Sequence, residues 1–328
     1  MTMSSRQMPA GGDRAGRMPD FMIVGHPKCG TTALHHMLRR HPQIFMPDLK
    51  ETWFFVPELQ SRLRRPGRRP DTLEEYMQLF APAEPEQRAG EASPVYLLSE
   101  SAAARIAEVD PGARIIAILR EPASFLRSLH LQFVQTHVED QTDLRTALAL
   151  EESRREGRNI PRDSVRPQTL LYSEMVKYVE QLERYRAVFP REQMLVLIYD
   201  DFRSDNEGTA RRVLRFLDVD EEVPVAATEA NPSVRVRSQP LHHLVQSVSD
   251  GRGPASRAVK ASVKALTTRA LRRQALRTVR RKVIFAEPRP ADETLALELR
   301  RRFAPEVEAL SEYLDRDLVS LWGYDQLG

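Results

Sequence analysis

Apolar residues occur along the chain in two alternating patterns. Short unbroken runs are followed by stretches in which apolar positions return every three or four residues. The first run is Phe21-Met22-Ile23-Val24, closed by Gly25, and it predicts a strand buried on both faces. The following "TTALHHMLRRHP" sets Ala33, Leu34, Met37 and Leu38 on one helical face, and Pro42 marks its end. The pattern repeats in "ARIIAIL" (113–119) and "REPASFLRSLHLQFV". Phe125, Leu126, Leu129 and Phe133 are spaced there for a helix, with Pro122 in its first turn. A third run, "MLVLIY" (194–199), lies between the helical patterns "YSEMVKYVEQLERYRAVF" and "GTARRVLRFLDV". A last helix is expected over about 291–315, with Leu295, Leu299, Phe303, Val307 and Leu310 on one face. Strands alternating with helices predict an α/β fold, a central parallel sheet flanked by helices that opens on a P-loop-like strand–loop–helix.

Three stretches break the pattern. "RLRRPGRRP" (62–70) reads as a basic loop, and 151–168 as a polar surface excursion. From Arg252 to Lys282 there are eleven Lys or Arg and no acidic residue, with apolar positions that allow an amphipathic helix. The first 20 residues read as a disordered tail. The expected organisation is a tail over 1–20 and one domain over 21–328, with a basic helical insertion around 252–282.

Composition narrows the classes. Of 328 residues, 41% are hydrophobic and 29% charged, which is ordinary for a globular protein. The net charge of +3 excludes a strong whole-molecule field. The basic residues are 6 Lys and 43 Arg, so each lysine stands out against a background of arginine. One cysteine excludes an internal disulfide and any multi-cysteine metal site. It fits a reducing, cytoplasmic setting. No window approaches the ~18 apolar residues of a membrane span, and the N-terminus lacks a signal-peptide core. Nothing in the pattern specifies an oligomeric state.

The chemistry concentrates in "GHPKCGTT" (25–32), between the first strand and its helix. A loop opening a helix presents free N–H groups and the positive helix end to an anion. Lys28 adds a charge, and Thr31 and Thr32 add hydroxyls. The nucleotide pattern GxxxxGK[ST] is absent, because the lysine comes two residues before the second glycine. On spacing alone three readings stay open: a phosphate cradle, a nucleophilic Cys29 activated by the helix end and Lys28, and an ordinary turn. Of the eight histidines, adjacent His35 and His36 point to different helix faces, so no metal site is expected there.

"PKCGTTAL" resembles the 5′-phosphosulfate loop of the sulfotransferases that use 3′-phosphoadenylyl sulfate (PAPS). A second element supports the likeness. "LREPASFLRSL" supplies Arg120 at a predicted strand end and Ser128 eight residues on, as in family members, where the pair holds the 3′-phosphate. "HPQIFMPDLKETWFF" and "GEASPVYL" resemble blocks of the carbohydrate and heparan-sulfate type, except that Ala92 stands where some heparan enzymes carry a lysine. The resemblance covers most of 20–325.

It implies that Lys28, Cys29, Gly30, Thr31 and Thr32 cradle the 5′-phosphosulfate, that Arg120 and Ser128 bind the 3′-phosphate, and that Tyr199, in "LIYDDF", touches the adenine. Arg281 or Lys282, at the end of the basic run, would close the nucleotide site. It further implies Glu51 as general base, Lys28 as catalytic cation, adenosine 3′,5′-bisphosphate as product, and no metal requirement. Trp53, Phe54 and Phe55 would line an acceptor site or join the core. The acceptor is expected to be a small molecule or glycan, attacked at a hydroxyl rather than an amine, and the basic segments suit an anionic one. Two rival readings remain: a nucleotide or small-molecule kinase, and a polyanion binder working through 252–282 with no specific nucleic-acid partner. That segment would also suit peripheral contact with a membrane.

Overall fold

The computed structural model describes residues 16–60, 69–161, 164, 167–225, 235–236, 285–286 and 292–327. The basic segment 252–282, with Arg281 and Lys282, and most of the 62–70 loop lie outside the described residues. The described chain falls into two compact units. One comprises residues up to Glu121, Lys177–Ala230 and Ala309–Arg316; the other comprises Pro122–Val176, Asn231–Glu308 and Asp317–Gly328.

The first unit holds a five-stranded sheet: β1 (Phe21–Gly25), β2 (Ile44–Phe45), β3 (Arg88–Ala92), β4 (Arg114–Leu119) and β5 (Met194–Ile198). Their order across the sheet is β2-β3-β1-β4-β5, and every neighbouring pair is parallel. This is the α/β sheet that the alternating pattern predicts. The three apolar runs form β1, β4 and β5, in which every residue but Arg114, Met194 and Val196 is buried. Helices of this unit are α1 (Thr31–Leu38), α2 (Pro57–Gln60), α3 (Leu73–Gln78) and α4 (Ala102–Val109). In the second unit lie α5 (Pro122–Thr136), α6 (Leu144–Ala149) and α7 (Glu151–Arg155). The first unit resumes with α8 (Tyr178–Arg186), α9 (Tyr199–Ser204) and α10 (Asn206–Phe216). A two-residue ladder, β6 (Arg235–Val236) with β7 (Phe285–Ala286), is antiparallel. The chain ends with α11 (Glu293–Leu314), whose Leu295, Leu299, Phe303, Val307 and Leu310 are buried as their spacing predicts, and α12 (Leu318–Leu321).

Two strands were not legible. β3 reads Arg-Ala-Gly-Glu-Ala, and Gly, Glu and Ala disfavour strands. It pairs with β1 because Gly90 leaves room for a ring: a Cβ there would meet Phe21 Cζ at 2.1 Å. β2 is only two residues long. Residues 16–20, read as tail, are tied down: Asp20 accepts from Arg17 at 2.6 Å and from the Ala89 N–H at 2.7 Å.

The expected surface excursion at 151 begins instead as α7, and it carries a buried charge. Arg154 donates to both oxygens of Glu139 at 2.8 Å, and both side chains are fully buried. Tyr172 donates to the same carboxylate at 3.1 Å, and His130 Nδ1 lies 2.9 Å from the Tyr172 hydroxyl. Burial pushes Glu139 up, but Arg154 and the Gln141 N–H outweigh it and hold the carboxyl below its usual value. Substituting Arg154→Met leaves that carboxylate buried and unpaired. The variant should lose about 3–5 kcal/mol of stability in urea unfolding.

Candidate active site

The carboxyl ends of β1 and β4 bracket a topological switch. After β1 the chain turns to the β2-β3 side, and after β4 to β5. In open parallel sheets, ligands bind at such a point. The "GHPKCGTT" loop leaves β1 there, and Arg120 follows β4.

The loop is wound tightly onto the sheet. His26 N–H bonds Ile118 O at 2.9 Å, and Cys29 N–H bonds His26 O at 3.3 Å. Lys28 and Gly30 both take the left-handed conformation, at φ 63° and 87°. Gly30 is the N-cap of α1 and supplies no side-chain cap, so the first-turn N–H groups of Thr31 and Thr32 lack a capping side chain. A Cβ on Gly30 would meet Phe202 Cδ1 at 2.9 Å and Tyr199 Cδ2 at 3.4 Å. Glycine is needed for conformation and for space alike.

Several predicted residues converge on this loop. Arg120 Nη1 donates to Lys28 O at 3.3 Å, and its guanidinium carbon lies 4.7 Å from the centre of the Tyr199 ring. Tyr178 donates its hydroxyl to Arg120 O at 2.8 Å. Lys28, Gly30, Arg120 and Tyr199 thus form one cluster. Burial, and then the Arg120 charge, hold the Lys28 ammonium below its usual value. Tyr199 is the first residue of α9, not the last of the strand as its run suggested. Ser128 lies buried within α5 of the second unit.

Cys29 is fully buried, and its thiol contacts Pro27 O at 3.4 Å. Burial pushes its pKa up to about 12, against the opposing pull of Arg120 and Lys28. A neutral, enclosed thiol is not a nucleophile, so that reading of the loop is set aside. Its N–H serves the loop's internal turn.

Glu51 arrives from the segment after β2. Its backbone sits at φ 61°, and its N–H bonds Ala92 O at 3.1 Å. The link to the loop is Lys50, whose Nζ donates to Thr32 Oγ1 at 2.8 Å and lies 3.4 Å from Glu51 Oε1. Burial holds Lys50 below its usual value, against the pull of Glu51. Lys50 was not singled out in the sequence, although the rarity of lysine among arginines was a usable signal. Of the three aromatics that follow, Phe55 is buried, while Phe54 stacks on Tyr76 at 4.5 Å. Trp53 carries the Arg69 guanidinium 3.6 Å over its ring.

Within the loop, fully buried His26 donates from Nε2 to Gln181 Oε1 at 2.9 Å. Burial pushes its pKa from 6.5 to about 4, with Gln181 opposing. The unfolded chain takes up this proton below about pH 6.5, whereas the folded chain does so only near 4. The stabilising contribution is therefore full above 6.5 and is lost as pH falls towards 4. Two to three pH units correspond to about 3 kcal/mol. A pH series of unfolding free energies should show this loss, and His26→Asn should flatten the slope between pH 6.5 and 4.

Among the described residues, no group of three or more His, Cys, Asp or Glu is placed to hold a metal ion. Nor is any helix among them long and apolar enough to cross a membrane.

The chain is similar to several known proteins. Human carbohydrate sulfotransferase 15 is 28% identical over 251 residues, covering 62% of this chain and 44% of its own length. The mouse bifunctional heparan sulfate N-deacetylase/N-sulfotransferase 4 is 32% identical over 208 residues, covering 62% of this chain and 22% of its own length. The chain thus spans less than half the length of these curated relatives. A crystal structure of a sulfotransferase from Alicyclobacillus acidocaldarius superposes with a TM-score of 0.63 at 26% identity, over 93% of this chain and 98% of that one. The family described as the sulfotransferase domain matches residues 18–236, well over half of the sequence, and the chain belongs to that family.

Proposed function

We propose that the chain transfers a sulfuryl group from PAPS to a hydroxyl of a carbohydrate or related small acceptor, releasing adenosine 3′,5′-bisphosphate. The single observation that carries this reading is the cluster at the β1 and β4 ends. There a left-handed glycine with no room for a side chain, an uncapped helix start, and two half-buried cations meet at one loop. This is the chemistry a phosphosulfate needs.

When bound, PAPS supplies an activated sulfuryl group whose departure leaves charge on a phosphate oxygen. Lys28 and the N–H groups at the start of α1 would stabilise that charge. Arg120 would hold the 3′-phosphate, and Tyr199 would face the adenine. Glu51 would accept the proton of the attacking hydroxyl. Lys50, between Thr32 and Glu51, ties the base to the donor loop. No residue in this scheme needs a metal.

The carbohydrate acceptor is drawn from the relatives named above and from Trp53 beside the base, a ring type suited to a sugar face. Arginine-rich stretches favour an anionic glycan. A lone, buried thiol favours a reducing compartment, and we place the protein in the cytoplasm. The test is label transfer from PAPS to heparan-type, chondroitin-type and neutral oligosaccharides, with calorimetry of adenosine 3′,5′-bisphosphate. Micromolar binding and transfer to one of the saccharides is the expected result. Absence of bisphosphate binding would overturn the reading.

A further inference from the structure

We propose that Glu91 is a positioning residue for the general base: it is the hub of a buried clamp that fixes the backbone of residues 51–54. This inference rests on the function proposed above. Glu91 lies in β3 and is 1% exposed. Among the described residues its partners are hydroxyls rather than a cation. Oε1 accepts from Thr52 at 2.6 Å, Ser93 at 2.5 Å and Tyr96 at 2.9 Å, and Oε2 accepts from Tyr76 at 2.6 Å. Burying a carboxylate without a cation is costly, and four hydroxyl donors are an unusual outlay for a purely structural strand.

Three of those hydroxyls reach on to the segment that carries Glu51. Ser93 Oγ accepts from the Trp53 N–H at 3.3 Å. Tyr96 OH accepts from the Phe54 N–H at 3.0 Å. Thr52, fully buried, is itself the residue after Glu51, and its Oγ1 also lies 3.3 Å from the Phe54 N. The Glu51 N–H bonds Ala92 O, next to Glu91 in the strand. The clamp therefore grips the segment at four consecutive residues. Glu51 and Trp53 are both left-handed, at φ 61° and 56°, a conformation that non-glycine residues keep only where their surroundings over-determine it. Glu91 orders the hydroxyls, the hydroxyls hold the backbone, and the backbone aims the Glu51 carboxylate at the donor loop. The catalytic group does not touch Glu91; the coupling runs through Thr52, Ser93 and Tyr96.

The test is a double-mutant cycle between Glu51 and the clamp, followed in two readouts. Thr52→Val and Ser93→Ala each remove one spoke and leave the carboxylate with three donors, and Glu91→Gln alters the hub. Turnover of labelled PAPS with the oligosaccharide that the acceptor screen selects should fall on the order of 10²-fold for Thr52→Val. The KM for PAPS and the affinity for adenosine 3′,5′-bisphosphate should stay within about twofold, because the loop at β1 is untouched. In a Glu51→Ala background the same substitution should cost no further turnover, since it acts through a group already gone. Hydrogen exchange at the Trp53 and Phe54 amides should accelerate in all three single variants. Full, additive loss in the Glu51→Ala background, or unchanged exchange at those amides, would overturn the clamp while leaving the function intact. A wild-type protein that binds no adenosine 3′,5′-bisphosphate would instead overturn the underlying function, and the role of Glu91 in catalysis with it.

Discussion

Glu51→Gln should lower turnover by roughly 10²–10⁴-fold, the range that a positioned general base contributes, and leave bisphosphate binding unchanged. The geometry of the segment favours this outcome. Glu51 is tethered through Lys50 to Thr32, at the start of the helix that would receive the donor. Its side chain is 40% exposed, so an incoming hydroxyl can reach it. Glutamine keeps the shape and the bond to Lys50 but accepts no proton. Calorimetry with adenosine 3′,5′-bisphosphate separates this effect from loss of the site: kcat should collapse while Kd holds. A Glu51→Gln enzyme retaining more than a tenth of wild-type turnover would show that the proton leaves by another route.

Lys28→Met should lower kcat/KM by about 10²–10³-fold, and here binding should weaken as well. Lys28 lies in the turn before Gly30, in a left-handed conformation, with its carbonyl held by Arg120. Burial makes the charge costly and therefore effective, because a desolvated cation acts through a lower dielectric than one in water. Methionine keeps the aliphatic stem and the packing, so the variant removes charge alone. Steady-state kinetics and calorimetry together measure the two losses. Equal kinetic constants for variant and wild type would exclude the loop as the phosphosulfate site.

Much of this fold is legible in the sequence. β1, β4 and β5 are unbroken apolar runs because both faces of a parallel sheet are covered, and that burial leaves a trace in sequence. α11 showed its buried face through spacing alone. Lys28, Gly30, Thr31 and Thr32 could be singled out because a loop that opens a helix is local and sits at fixed offsets from a strand end, whereas Arg120 was singled out by the family resemblance and the fold brings it to Lys28 O. Tyr199 was placed one element early because a strand that runs directly into a helix shows no breaker between them.

What stayed hidden depends on residues far apart in the chain. β3 is a strand only because Phe21 lies over Gly90 and four hydroxyls satisfy Glu91, and no propensity predicts either. His26 finds Gln181 across 155 residues, and Arg154 finds Glu139 from what reads as a polar surface stretch. The sequence by itself determined the class of sheet and the position of the loop, since these rest on period and short-range spacing. Only the tertiary structure decided which acidic and basic side chains are buried, and which of them hold the proposed base in place. Burial of a charged group is favourable only when its partners arrive together, and those partners are brought by the fold.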